Sequence, residues 1–381
     1  MTHKEHYLLI CLTLFWLPLQ AAPLDTIMSS RHTVEPWHGE LELSIDHMND
    51  TLDVFNIRQG HQEYAGTSVG DYAGGHLYGG IALTDKVWLE GSWWDRTLGY
   101  QTDAFNLQSW HFSTQYLLNQ KLGVVIPDLS VRATLWGNYA NRLTKSSSTT
   151  LFGKTVDEVD ILKPEDNQWQ FDLVSTWEPA RRTEFTLFFG GGQIRTDFDK
   201  LQVSGQINQI IDVGDGVINI VDDNNGNVLV KNNKFSNLQV TLNQESDKIS
   251  IGGFGELDNT YGVDSGFGIK HDAGYLHLGG SLIWYNNQWR IRGGYKIIYV
   301  DRGGYDDLVQ QISQNVGDNQ YNHIFSGDIL FRLTTNSALF VRGQIMTNQF
   351  LGEIPFSYTP YTAHRFDEKY GFVSAGINYY F

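Results

Sequence analysis

Period-two alternation of apolar and polar residues, repeated in pieces about ten residues long, constrains this chain more than any other feature. In Leu129-Ser130-Val131-Arg132-Ala133-Thr134-Leu135-Trp136-Gly137-Asn138-Tyr139, every odd residue is apolar or small and four of the five even residues are polar. Successive strand residues point to opposite faces, so such a segment has one oily face and one wet face. The pattern recurs with Leu41, Leu43 and Ile45 against Glu40, Glu42, Ser44 and Asp46, and with Val87, Leu89, Gly91 and Trp93 against Glu90 and Ser92. It returns at Trp169, Phe171 and Leu173, at Phe185, Leu187 and Phe189, and at Leu276, Leu278, Leu282 and Trp284. Ile291, Tyr295, Ile297 and Tyr299 alternate with Arg290, Arg292 and Lys296, and the last third continues in the same manner.

Alternation also describes a soluble sandwich, whose oily faces meet in a core. Three features favour a membrane barrel instead. Ten tilted residues span roughly 23 Å, the height of an outer-membrane apolar band. Connections alternate in length: 84–86, 178–182, 286–287 and 334–336 are tight, whereas 48–74, 140–167, 301–320 and 349–369 are long and polar. Aromatic residues stand at the ends of the oily faces, as with Trp169 and Trp177, Trp284 and Trp289, Tyr299 and Tyr379, where interfacial girdles would place them.

The first 22 residues read as a secretory signal, with an apolar stretch from Tyr7 to Leu19 and small residues at Ala21 and Ala22 suited to cleavage. Cleavage would remove Cys11, the only cysteine, so disulfides and a thiol nucleophile are excluded from the mature chain. No later segment approaches 18 consecutive apolar residues, which excludes a helical membrane protein. A net charge of -16 argues against a nucleic-acid partner, which needs clustered Lys and Arg.

The chain closes with Gly371-Phe372-Val373-Ser374-Ala375-Gly376-Ile377-Asn378-Tyr379-Tyr380-Phe381. A terminal Phe preceded by apolar or small residues at every second position, behind a signal peptide, resembles the bacterial outer-membrane β-barrel proteins of porin type. The resemblance implies an all-β, transmembrane antiparallel up-and-down barrel. It also implies that Tyr379 and Phe381 belong to the signal read by the barrel-assembly machinery. Partners would then be outer-membrane lipid, lipopolysaccharide and small solutes, with a homo-oligomer left open.

Twelve strands are expected at about 39–47, 75–84, 87–96, 106–118, 129–139, 168–178, 183–194, 274–285, 289–300, 321–333, 338–348 and 370–381. A hairpin with Leu238, Val240 and Leu242 before Ile249 and Ile251 makes fourteen, and a further pair at 200–211 and 216–222 would make sixteen. Fourteen is preferred, because twelve requires one connection of about 79 residues, uncommon unless that loop has structure of its own. Residues 23–381 then form a single barrel domain with a long outer loop region around 195–273, and no separate soluble domain is expected.

If the oily parity meets lipid, the other parity lines the lumen. It supplies Arg290, Arg292, Lys296, Arg332 and Arg342, with Arg132 from an earlier strand. Acidic counterparts are Glu40, Glu42, Asp46 and Glu90, with Asp328 beside the cations. Basic and acidic groups on separate arcs would set up a transverse field across a narrow water channel; the alternative is that they pair and plug it. Trp88, Trp94, Trp136, Phe188, Phe340 and Tyr380 also face inward by parity.

Catalytic patterns are poor. His111 and Ser113 are spaced somewhat like the pair of the outer-membrane phospholipase, but Gly123 stands where an orienting Asn is needed, and parity turns both inward. Asp46-His47 and His271-Asp272 offer the residue types of an omptin-like protease without its spacing. Asp212, Asp215, Asp222 and Asp223 suit Ca²⁺ in type, yet alignment on Gly226 puts Val221 at the first ligand position of an EF-hand. Leu24-Asp25-Thr26-Ile27 resembles an energy-coupling box, but the chain is too short for a plug and 22 strands. The expectation is therefore a passive channel for small solutes, without cofactor or metal. A closed barrel with binding loops is second and a hydrolase third.

Overall fold

The computed structural model describes residues 35–48, 72–100, 103–119, 127–151, 154–197, 271–303, 320–346 and 370–381, together with short strands between 200 and 251. The wall begins with β1 (Gly39–Met48), β2 (Tyr72–Ala82), β3 (Val87–Tyr100), β4 (Asp103–Leu117) and β5 (Asp128–Ala140). After β6 (Arg142–Leu151) and β7 (Lys154–Leu162) come β8 (Glu165–Ala180) and β9 (Thr183–Asp197). Six short strands follow: β10 (Lys200–Gly205), β11 (Gln209–Gly214), β12 (Val217–Asp222), β13 (Val228–Lys234), β14 (Val240–Asn243) and β15 (Lys248–Ile251). The chain ends with β16 (His271–Tyr285), β17 (Trp289–Asp301), β18 (Tyr321–Arg332), β19 (Ser337–Met346) and β20 (Tyr370–Tyr380).

Twelve of these strands close one antiparallel barrel in the order β1-β2-β3-β4-β5-β8-β9-β16-β17-β18-β19-β20. The circuit is sealed where β1 pairs with β20, and Gly39 and Phe381 exchange both backbone bonds at 3.0 Å. The preferred count of fourteen is thus corrected to twelve. The expected hairpin does form, as β14 paired with β15, but outside the barrel. β10, β11 and β12 form in the region expected for a further pair, and they join a six-stranded sheet in the order β13-β12-β11-β10-β7-β6. Alternation marks a strand without saying which sheet it joins, and the long connection has structure of its own.

That second sheet grows out of the wall. Tyr139 pairs with Glu165 at the end of β5 and β8, and Arg142 pairs with Leu162 just beyond. Between them Lys163 adopts a positive φ of 48°, and its N–H bonds to Asn141 O at 2.9 Å. Lys200 of β10 then pairs with Leu162, as Asp197 of β9 pairs with Glu165. The polar region 140–167, expected as a loop, is therefore largely a continued hairpin.

Tight turns at the opposite end fix the register. Thr84 Oγ1 accepts the N–H groups of Lys86 and Val87 at 3.1 and 3.0 Å, and Thr334 does the same for Asn336 and Ser337 at 3.1 and 3.0 Å. Asn286 Oδ1 likewise takes the Gln288 and Trp289 N–H groups at 2.8 and 2.7 Å. Short polar side chains bonding their own backbone two and three residues on are the mechanism of such turns.

The faces of the wall differ completely. Leu43, Ile45, Phe171, Phe189, Leu278, Phe325, Ile329 and Val341 are all at least half exposed on the outside. A water-soluble barrel would carry no such continuous apolar belt. Aromatic residues gather at its two margins: Trp284, Trp289 and Tyr379 near the tight turns, Trp169 and Tyr321 toward the other end. The opposite parity is buried and mostly polar, so the fold is a transmembrane β-barrel of the outer-membrane type.

Candidate functional site

The inner wall is the candidate site, and strand order determines which side chains meet there. β17, β18 and β19 carry the expected cations, and β1, β2 and β3 carry or flank the expected anions. Closure leaves only β20 between these two groups, so their centres lie four strand steps apart on a twelve-strand circuit. They are neighbours and not opposite walls, which corrects the expected transverse separation.

Across that seam the charges alternate. Arg292 forks onto Asp328, with Nε at 2.9 and 2.7 Å from the two carboxylate oxygens and Nη2 closing the pair. Arg342 Nε lies 3.9 Å from Asp328, and Arg342 Nη2 lies 3.0 Å from Glu42 Oε1 across the inner face of β20. Beside this ladder Asn378 donates to Glu40 at 3.0 Å. The Arg292–Asp328 pair, in which one carboxylate takes several guanidinium N–H groups, is the strong, directional contact of this ladder, whereas Arg342 and Asp328 at 3.9 Å attract without a hydrogen bond.

A second cluster spans β5 to β16. Arg132 Nε donates to Asp172 Oδ2 at 2.7 Å, and His277 Nε2 lies 2.7 Å from Asp172 Oδ1. Gln170 Nε2 bonds both oxygens of Asp172 at 2.9 and 2.8 Å, while Tyr275 donates to Gln170 Oε1 at 3.1 Å. β9 runs between β8 and β16, and only glycine permits the crossing. A Cβ on Gly190 would collide with Asp172 Oδ1, and one on Gly192 would meet the Tyr275 hydroxyl at 2.7 Å. The run Gly190-Gly191-Gly192 within a strand was the sequence signal for close approach, and hydrophobic patterning alone passes over it.

A third group sits on β2 and β3, where Glu90 Oε2 accepts from Tyr78 at 3.1 Å and from Trp88 Nε1 at 3.0 Å. Further along, Arg96 donates to Ser109 at 2.8 Å, Ser109 to Asn138 at 2.6 Å, and Asn138 to Asp166 at 2.8 Å. Gln168 also donates to Asp166, at 2.9 Å.

Glu42, Asp46, Glu90, Arg132, Lys296, Asp328 and Arg342 are buried on the inner side. Arg290, Arg292 and Glu40 are half-buried. Arg332 is exposed near the tight-turn rim, its guanidinium 5.7 Å from the ring of the half-buried Tyr380. Trp88, Trp94, Trp136, Phe188 and Phe340 are buried inside, and Tyr380 is half-buried.

His111 and Ser113 also lie inside, and Ser113 Oγ accepts the Thr134 hydroxyl at 3.2 Å. Asp46 points inward while His47 is exposed outside, so the two do not converge. Tyr379 and Phe381 are both exposed at the closing seam. The signal segment and the Leu24–Ile27 stretch lie outside the described residues, as do the side chains of Asp212, Asp215, Asp222, Asp223 and His271.

The architecture and inner wall define a class: a twelve-stranded outer-membrane-type barrel with a polar, charge-paired interior. No family model matches the chain, and no curated protein does. Among solved structures it is similar to the NanC porin, at 7% identity and a TM-score of 0.37, over 90% of this chain and 98% of that one. It is also similar to the KdgM porin, at 7% identity and a TM-score of 0.35, over 90% and 99% of the two chains. The translocator domain of the autotransporter NalP from Neisseria meningitidis matches at 6% identity and a TM-score of 0.43, over 94% and 91%.

Proposed function

We propose that this barrel is a passive outer-membrane channel for small polar solutes. The carrying observation is that the ladder Arg292, Asp328, Arg342, Glu42 pairs its charges along the wall, from β17 through β20 to β1, and not across the lumen, so that it lines a polar, alternately charged surface inside an apolar belt. Such a surface replaces part of a solute's hydration and passes cations and anions alike, because each charge has an opposite neighbour. Proteoliposomes carrying the protein should swell in iso-osmotic small sugars or amino acids. Swelling no faster than protein-free vesicles would refute the channel.

One observation favours a second reading, a closed barrel whose surface strands and loops bind partners. Trp94, Trp136, Arg96, Arg132 and Phe188 are each less than 2% exposed, so water does not touch the inner wall at these points. On that reading vesicles never swell, while removal of residues 196–235 abolishes surface binding and leaves the barrel assembled.

Export by a signal cleaved near Ala21 or Ala22, and insertion through the closing strand with Tyr379 and Phe381, complete the proposal. The N-terminal sequence of the mature protein tests the first. Loss of folded barrel on replacing Phe381 by Ala tests the second.

A further inference from the structure

Two adjacent rows of inward residues cross the wall from β3 to β9 on the side away from the tight turns. Register places Trp94, Ser109, Asn138, Asp166 and Thr196 side by side in one row. Ser92, His111, Trp136, Gln168 and Ile194 form the next. Arg96, from the next row out, is joined to Ser109, Asn138, Asp166 and Gln168 of these rows by consecutive hydrogen bonds of 2.6 to 2.9 Å. A belt of planar amides, a carboxylate and a guanidinium is thereby held in one arrangement.

Four polar atoms along this belt have no hydrogen-bond partner among the described residues: Trp94 Nε1, Trp136 Nε1, Gln168 Oε1 and Thr196 Oγ1. Their side chains belong to residues that are 1% to 3% exposed. A buried polar group left unpaired is costly, and each instance calls for an occupant that completes it. Two of the four are pure donors, one is an acceptor and one is a hydroxyl that can be either. An anion would satisfy only the donors, and a cation only the oxygens. A molecule bearing several hydroxyl groups satisfies all of them.

The spacing agrees with that chemistry. β4 alone separates β3 from β5 and the two residues stand one inward row apart, so Trp94 and Trp136 lie about 12 Å apart along the wall, on the scale of a disaccharide. Their rings are held in place: Arg96 lies 4.0 Å over Trp94, His76 is 5.2 Å from it, and Tyr275 meets Trp136 edge-on at 5.9 Å. Charge within the belt is balanced, since Arg96 and Asp166 are linked through Ser109 and Asn138.

We infer that the Trp94–Trp136 belt is a binding site for a neutral sugar of about two rings. The inference rests on the channel reading for its purpose, but binding can be measured without conduction. Sugar hydroxyls accept from the two indoles and donate to Gln168 Oε1, with Thr196 at the far end of the row. Both indoles are buried in this structure, so sugar access uncovers them.

Calorimetric titration of the full chain in detergent micelles with maltose, cellobiose and, as an acidic probe, galacturonate tests the site. A neutral disaccharide should bind saturably and galacturonate should not. Trp94→Phe and Trp136→Phe keep the ring and lose the donor, and each should weaken binding about five- to tenfold. Trp169→Phe, on the lipid-facing side, should leave it unchanged, and heat-modifiable migration confirms that every variant is a folded barrel. Absence of saturable heat with both neutral sugars overturns the inference, as does wild-type affinity in both inward variants, since water then satisfies the indoles. Tighter binding of galacturonate overturns it too. A barrel that binds sugar yet never conducts would refute the channel and leave the site standing.

Discussion

Asp172 Oδ1 lies 2.7 Å from His277 Nε2 although the two residues are 105 apart in sequence and β9 runs between their strands. The contact exists because Gly190 leaves the inner face of β9 open at that level. Gly190→Ala places a methyl group against Asp172 and against the Phe171 carbonyl. Overpacking of this kind costs about 1–3 kcal/mol. The urea midpoint of the folded, heat-modifiable form should fall accordingly. Gly293→Ala supplies the control, because a Cβ there meets nothing within 4 Å, and its midpoint should not move.

Asp328 neutralises two arginines at once. Replacing it with Asn leaves Arg292 and Arg342 facing each other on the inner wall, and breaking one side of a buried pair typically costs about 3–5 kcal/mol. Asp328→Asn should therefore unfold at markedly lower urea. Adding Arg292→Met should recover part of the loss, because the uncompensated charge goes with it. Equal midpoints for the single and double variants would show that the ladder is energetically idle.

The apolar belt has its own test. Leu278 sits at the centre of β16 and is 53% exposed. Arginine at the midplane of a barrel's lipid face costs about 2–4 kcal/mol, falling toward zero at the interfaces. In phospholipid vesicles Leu278→Arg should lose that amount, whereas Asp272→Arg, at the loop-side end of the same strand and face, should lose little. Equal effects at the two positions would mean that this surface does not face hydrocarbon.

The twelve barrel strands were legible, because their outward positions keep a two-residue apolar period even where Trp94, Trp136 or Phe188 interrupts the polar face. The inward parity of Glu42, Arg132 and Asp328 followed from the same period. Sheet membership did not. Lys200–Gly205 and Val217–Asp222 alternate as barrel strands do, yet pair with β7, β11 and β13. β6 and β7 stayed hidden because runs such as Lys145-Ser146-Ser147-Ser148-Thr149-Thr150 have no oily face. The contact of Arg342 with Glu42 was equally invisible, for the residues are 300 apart and meet only through closure of β1 on β20. Pairwise chemistry inside a barrel depends on the circuit, and one strand's pattern carries no information about its distant neighbour.

The central claim is that a polar path crosses the membrane inside this wall. Purified protein added to a planar lipid bilayer in molar KCl tests it most directly. The account predicts discrete, reproducible conductance steps. It also predicts a shift of the reversal potential toward cation selectivity when Arg290, Arg292 and Arg342 are replaced by Glu. A correctly folded barrel that inserts and remains electrically silent at every applied voltage would contradict it.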